Sequence, residues 1–220
     1  MSSFRRLILA LGMAFAMALG TSATASDNPQ MDAEVLRINN EWARIRYQVT
    51  NEGQQLAQLQ VLATQAATVV RRYPNRAEPL LWQGIVTSEE AARASTFHQL
   101  GYATSARDIL LRARAIDANA AHGGVNMSLG VLYYKVPGFP IAFGSASRAR
   151  TFLLAALAQD PNGLDANFFY GDFLEQQGDH AGARTALNRA LHAPVDSSRP
   201  VWDNGRRAEC RALLAHIARR

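Results

Sequence analysis

"FFYGDFLEQQGDHAGARTALNRAL", residues 168–191, decides the fold. Its second half places Ala183, Ala186, Leu187, Ala190 and Leu191 at i, i+3, i+4, i+7 and i+8, one face of an α-helix. Twelve residues before Ala183, Gly171 stands among Phe169, Tyr170 and Phe173. A residue without a side chain lets a neighbouring helix come close, and aromatic rings fill the space beside it. Between the halves, Gly178 can end one helix in the left-handed conformation and Asp179 can cap the next. The stretch therefore reads as two antiparallel helices joined by a tight turn. Neither helix is thick enough to bury its own apolar face.

The same pattern occurs upstream. Ala149, Phe152, Leu153, Ala156 and Leu157 repeat the longer set, and Ala106, Ile109, Leu110 and Ala113 repeat its first four positions. The step from Ala149 to Ala183 is 34 residues, the period of tetratricopeptide repeats. Gly130 in "SLGVLYY" matches Gly171, and "DPNG" at 160–163 is a turn between repeats. "LWQG" at 81–84 begins an earlier, degenerate repeat whose Ala106 arrives ten residues late. Alternating apolar runs and hairpin signals are scarce. The expected class is all-α: tetratricopeptide-like antiparallel helix pairs in a short solenoid over about residues 76–194. A last helix at about 203–219, capped by Asp203, would cover its open end.

The segment before the repeats carries a heptad stripe. Met31, Val35, Ile38, Trp42, Ile45 and Val49 continue in register through Leu56, Leu59, Ala63, Ala66, Val70 and Tyr73. A hairpin broken at "NEG", residues 51–53, is the alternative, but a turn has no reason to preserve register. The stripe predicts one long helix over about 30–73, packed on its own chain or on a second copy. It stops before Pro74, where Asn75 and Glu78 form a capping-box pattern for the next helix.

Residues 1–25 read as a signal peptide. Arg5 and Arg6 precede the apolar run Leu7 to Leu19, and Ala23 and Ala25 offer a small-residue cleavage site. The run is short of the roughly 20 residues a membrane span needs. Residues 26–220 are then a single exported helical domain, placed in the periplasm. No cysteine follows the run, which argues against a lipoprotein. Removing Arg5 and Arg6 lowers the net charge from +5 to +3, too little to point to nucleic acid. The one cysteine, Cys210, shares helical spacing with Leu213, Leu214 and Ile217, which makes it a core residue.

Nothing in the chain spells out a catalytic or metal centre. His98, His122, His180, His192 and His216 have no ligand spacing, and no H-E-x-x-H, G-x-S-x-G or G-K-[ST] occurs. No enzyme activity and no cofactor are expected. Asp172 with Glu175 reads as a solvated face. Arg206-Arg207 reads as solvated or as partners of helix-end carbonyls.

The unusual segment is "YYKVPGFPIAFGS", residues 133–145. Pro137 and Pro140 stop the helix, and the Gly130-to-Ala149 interval is seven residues longer than Gly171 to Ala183. Phe139, Ile141 and Phe143 are too apolar for a free loop. Either they plug a gap in their own repeat, or they line a groove for an apolar ligand or partner. Tyr133, Tyr134, Pro137, Phe139, Pro140, Phe143 and Phe168 are the candidate binding residues. Phe168 is included because Phe169, Tyr170 and Phe173 fit the packing face and Phe168 fits it least, although core packing is the default reading for all four.

The run from Ser128 through "YYKVPGFPIAFGS" and "DPNGLDANFFYGDFLEQQGD", followed by "RALHAP" and "DNGRRAE", resembles the TRAP transporter T-component family. The likeness covers about residues 75–215. It implies a periplasmic, all-helical scaffold with cryptic tetratricopeptide-like repeats. Such a scaffold associates with itself and with a solute-binding protein, and a pore or groove handles apolar solutes. The expected function is thus a binding adaptor, with a carrier of an apolar small molecule as the alternative.

Overall fold

The computed structural model describes residues 28–219 of the chain. The signal peptide read from residues 1–25 lies outside them. Nine α-helices make up the described residues: α1 Pro29–Gln48, α2 Glu52–Arg72, α3 Ala77–Arg93, α4 Thr96–Ile116, α5 Ala120–Lys135, α6 Ala146–Gln159, α7 Leu164–Gln176, α8 His180–Leu191 and α9 Pro200–Ile217. There is no named strand among them, only an isolated bridge between Gly138 and Gly144.

The helices form antiparallel pairs, α3 with α4, α5 with α6 and α7 with α8, and each pair closes on the same contact. A methyl group on Gly84 would lie 2.7 Å from Leu110 Cγ; on Gly130, 2.7 Å from Leu153 Cγ; on Gly171, 2.9 Å from Leu187 Cγ. Each leucine follows its small residue, Ala106, Ala149 or Ala183, by four, and all three alanines are fully buried. The late arrival of Ala106 has a simple cause. The 21-residue helix α4 spends its first two turns exposed before reaching the contact.

Local signals explain most boundaries. Asp179 accepts from the Gly182 amide at 2.8 Å, and Gly178 takes φ +82°, as the turn chemistry requires. The "DPNG" turn separates α6 from α7. Asn28, Asn51 and Ser145 cap α1, α2 and α6.

Three expectations fail. The segment 30–73 is a hairpin, not one helix: α1 ends at Gln48, and Asn51 caps α2 through the Gln54 amide at 2.9 Å. The buried Gln55 seals the break, its Nε2 donating to the carbonyls of Ile45 and Val49 at the end of α1. Each arm of the hairpin buries an apolar stripe of its own. The stripe also slips in α2, where Leu59, Leu62, Ala66 and Val69 are the buried set. The Asn75–Glu78 capping box does not form, since α3 starts at Ala77 with no side-chain cap. Nor does Asp203 cap α9. The helix starts at Pro200, and Asp203 is buried in its first turn, accepting from the Asp196 amide and pairing with Arg207 at 2.7 Å.

Candidate functional site

The odd-numbered helices run parallel, as their contacts show. Arg46 near the end of α1 meets Glu89 near the end of α3, Tyr134 near the end of α5 meets Asp172, and Asp165 at the start of α7 meets Trp202 at the start of α9. Together these helices form one face of the solenoid. A groove of about 650 Å³ runs across it, lined by α1, α3, α5, α7, α9 and the end of α6. Leu36, Leu81, Ile85, Met127, Val131 and Phe169 make its wall mostly apolar. The sequence holds three tryptophans, and all of them, Trp42, Trp82 and Trp202, line this groove. Trp42 and Trp82 meet edge to face at 5.7 Å.

One side of the groove carries an unusual backbone. Ala121, His122 and Gly123 follow one another in the left-handed region, at φ 52°, 51° and 83°. Only glycine fits the third position, since a methyl group there would lie 3.1 Å from the Ala156 backbone. The two non-glycine residues are strained, and strain of this kind concentrates at functional sites.

The base of the groove is an ion-pair chain that joins four helices. Arg46 donates to Glu89 at 2.8 Å and to Glu209 at 2.7 Å. Arg206 donates to Asp165 at 2.6 Å and to Glu209 at 2.5 Å. Arg93 pairs with Glu89, Tyr47 donates to Glu209, and the Trp202 indole donates to Asp165 at 3.1 Å. Three arginines thus face three carboxylates. Burial opposes the Glu89 charge, but Arg46 and Arg93 outweigh it and hold its pKa low. Burial likewise opposes the charge on Arg206, and Asp165 overcomes it. Arg206, with a side chain 2% exposed, also lies over the Phe168 and Phe169 rings at 4.5 and 4.4 Å.

The sequence-predicted loop stands apart from this groove. Tyr133 is buried, stacked on Phe152 at 5.6 Å, and Tyr134 donates to Asp172 at 2.7 Å. Phe143 is half-buried, with Tyr133 at its edge and the Arg107 guanidinium 4.5 Å above it. Backbone bonds from Gly144 to Pro137 and from Ser145 to Tyr133 close the loop. Pro137 and Pro140 are exposed, as are Phe139 at 94% and Ile141 at 71%. Of the two readings of the loop, the packing one holds for Phe143, which plugs the gap in its own repeat, and not for Phe139 and Ile141, which stay exposed. Phe168 follows the default reading of its aromatic run and packs into the core against Phe169 and Arg206 rather than serving as a binding residue. Among the candidates, none lines the groove.

Sequence reasoning also misplaced the charged pairs. Asp172 is not solvated but accepts from Tyr134 and from Lys135 at 2.7 Å. Glu175 reaches His216 at 3.7 Å. Arg207 does serve helix-end carbonyls, those of Leu191 and Ala193 at 2.8 Å. Arg206 is buried rather than solvated. The signal that could have found the groove is compositional: the three tryptophans fall near the starts or middles of odd helices.

A tetratricopeptide-repeat family model matches residues 141–217. The fold is a tetratricopeptide-like solenoid. The chain is also similar to the crystal structure of TTC0263, a thermophilic TPR protein of Thermus thermophilus. The two superpose with a TM-score of 0.56 at 12% identity, over 84% of this chain and 100% of that one. No curated protein matches the sequence. The comparisons reach the repeat fold and not the T-component family.

Proposed function

We propose that this protein is a helical-repeat adaptor that holds a segment of a partner protein along the inner groove. The observation that carries the reading is the groove itself, mostly apolar and containing every tryptophan of the chain. Stacked repeats expose such a face because each helix pair buries only one side of its inner helix. The export signal read at residues 1–25 and the T-component resemblance support a periplasmic adaptor, with a solute-binding protein as its partner. Self-association is part of the same proposal.

Photo-crosslinking tests it. A benzoylphenylalanine at Met127, in the groove, captures a purified solute-binding protein; the same probe at Phe139, on the loop, does not. Capture only from position 139 would move the site to the loop and defeat the groove reading.

One observation favours a second reading. A volume of about 650 Å³ lies within the roughly 300–1,000 Å³ typical of small-ligand sites. An apolar small molecule would then quench tryptophan emission stoichiometrically in the absence of any peptide.

A further inference from the structure

The groove is charged unevenly, and its charge selects its occupant. Because the odd helices are parallel, their first turns gather at one end. Asp32 and Glu78 stand in the first turns of α1 and α3, and Asp160, at the end of α6, lines the same end of the groove. A helix N-terminus carries only about half a positive charge, so a first-turn carboxylate more than offsets it. Asp32 and Asp160 have no ion-pair partner among the described residues. At this end Glu78 pairs with Arg76 at 3.6 Å, and Arg199, which lines the groove, pairs with Asp196 at 2.7 Å and sits over the Trp202 ring at 3.9 Å, so the carboxylates left unpaired among the described residues are Asp32 and Asp160.

The positive groups elsewhere in the groove are matched from within. Arg46 faces Glu89 and Glu209, Arg206 faces Asp165 and Glu209, and Lys135 faces Asp172. None of these charges is left unpaired for an incoming carboxylate. An acidic ligand would have to break an internal pair, leaving a desolvated carboxylate behind.

A second observation says that the occupant has polar atoms as well as apolar ones. Asn39 Oδ1, Trp42 Nε1 and Arg46 Nε are buried without a hydrogen-bond partner. They lie three and four residues apart, on one face of α1, and all three residues line the groove. Asn39 and Trp42 are 3% and 4% exposed. One acceptor and two donors left unsatisfied in one strip cost stability unless a ligand, or a small side-chain turn on binding, completes them. A hydrocarbon cannot do so; the amide groups of a peptide can.

Resting on the proposal that the groove holds a partner segment, we infer that the segment is an apolar peptide carrying lysine or arginine. Its cationic group sits at the Asp32–Asp160 end, and its backbone runs along the Asn39–Trp42–Arg46 strip. Peptides with acidic side chains or a carboxylate as their main anchor are rejected.

The test uses three pools of fluorescein-labelled nonapeptides, blocked at both ends. Their apolar positions are randomised among Leu, Phe, Met, Val and Ala, with two fixed positions as Lys, Ser or Glu. Binding to the full chain is read at pH 7.5 by anisotropy and by tryptophan emission. The Lys pool binds at least tenfold tighter than the Glu pool, with the Ser pool between them, and the gap narrows as salt rises from 0.05 to 0.5 M. In the Asp32→Asn, Asp160→Asn double variant the Lys pool falls to the affinity of the Ser pool, which itself does not change. Equal affinities, a preference for Glu, or a Lys preference untouched by the double variant overturns this inference while leaving the groove reading in place. Failure of every pool to bind or to alter tryptophan emission removes the groove reading and this inference with it.

Discussion

Gly130 lies directly beneath Leu153, where a methyl group on its Cα would come within 2.7 Å of the leucine Cγ and 3.3 Å of the Ala149 carbonyl. The crowding is against a branched carbon and backbone, so neither side can yield cheaply. Gly130→Ala therefore forces α5 and α6 apart and costs about 1–3 kcal/mol. Two other glycines make the comparison sharp. A methyl group on Gly101 meets nothing within 4 Å, and Gly101→Ala stabilises α4 by roughly 0.5–1 kcal/mol. Gly178 has equally open surroundings but φ +82°, so Gly178→Ala loses about 1–2 kcal/mol from backbone strain alone. Chemical denaturation of the three variants orders them; a neutral Gly130→Ala would show that the helix contact is not tight.

The aromatic loop divides in the same way. Phe143 packs on Tyr133 and beneath Arg107, whereas Phe139 stands clear of the protein. Phe143→Ser lowers stability by about 1–3 kcal/mol, and Phe139→Ser leaves it within about 0.5 kcal/mol of wild type. Equal losses from the two variants would mean that Phe139 is covered in solution.

What was legible in the sequence follows from the range of the signal. The Gly171–Ala183 pair was readable because a helix pair is a local object: its periodicity, glycine and turn residues lie within 24 positions. The break at residues 49–51 was not, because its decisive contact, Gln55 on the α1 carbonyls, shows no hydrophobic period. Arg206 looked like a surface charge for a related reason. Its partners Asp165 and Phe168 stand about forty residues away, and only the stacking of α7 on α9 brings them together. The groove is the extreme case, assembled from six helices of which only α5, α6 and α7 are consecutive in sequence.

Asp165 tests whether the ion-pair chain is structural. Asp165→Asn keeps the side chain's shape but removes the charge beside the buried Arg206 guanidinium and leaves one acceptor oxygen for two donors, the Trp202 indole and Arg206 Nε. A buried cation stripped of every partner costs on the order of 3–5 kcal/mol, and for Arg206, which keeps Glu209, the cost is part of that. Replacing both, as Asp165→Asn with Arg206→Met, recovers much of that loss, because no uncompensated charge is left in the core. Thermal unfolding of the single and double variants measures the coupling. Additive losses would show that Glu209 alone balances Arg206.

Cys210 is fully buried, and burial pushes its thiol up to about 12. It reacts with a maleimide or with an aromatic disulfide only as fast as the chain unfolds, and denaturant accelerates labelling in parallel with loss of helicity. Fast labelling of the native chain at pH 7.5 would mean that α9 opens locally and does not seal the end of the stack.

Glu90 gives the chain a pH dependence whose sign can be worked out. Its side chain is 5% exposed on α3, and burial, with no cation to offset it, raises its pKa from an ordinary value of 4.5 to about 7. The folded state therefore binds a proton between pH 4.5 and 7 that the unfolded state has released. Stability from the neutral carboxyl is complete below that window and is lost as pH rises through 7, where folding must bury a charge. Glu90→Gln keeps the shape and is neutral at every pH. It raises the stability at pH 8 by on the order of 2 kcal/mol and changes it little at pH 4.5. Taking the difference between variant and wild type cancels every other titrating group. Melting curves across pH 4.5 to 8.5 trace the window directly, and a difference that stays constant with pH would place a cation or water beside Glu90 that keeps its carboxylate charged in the fold.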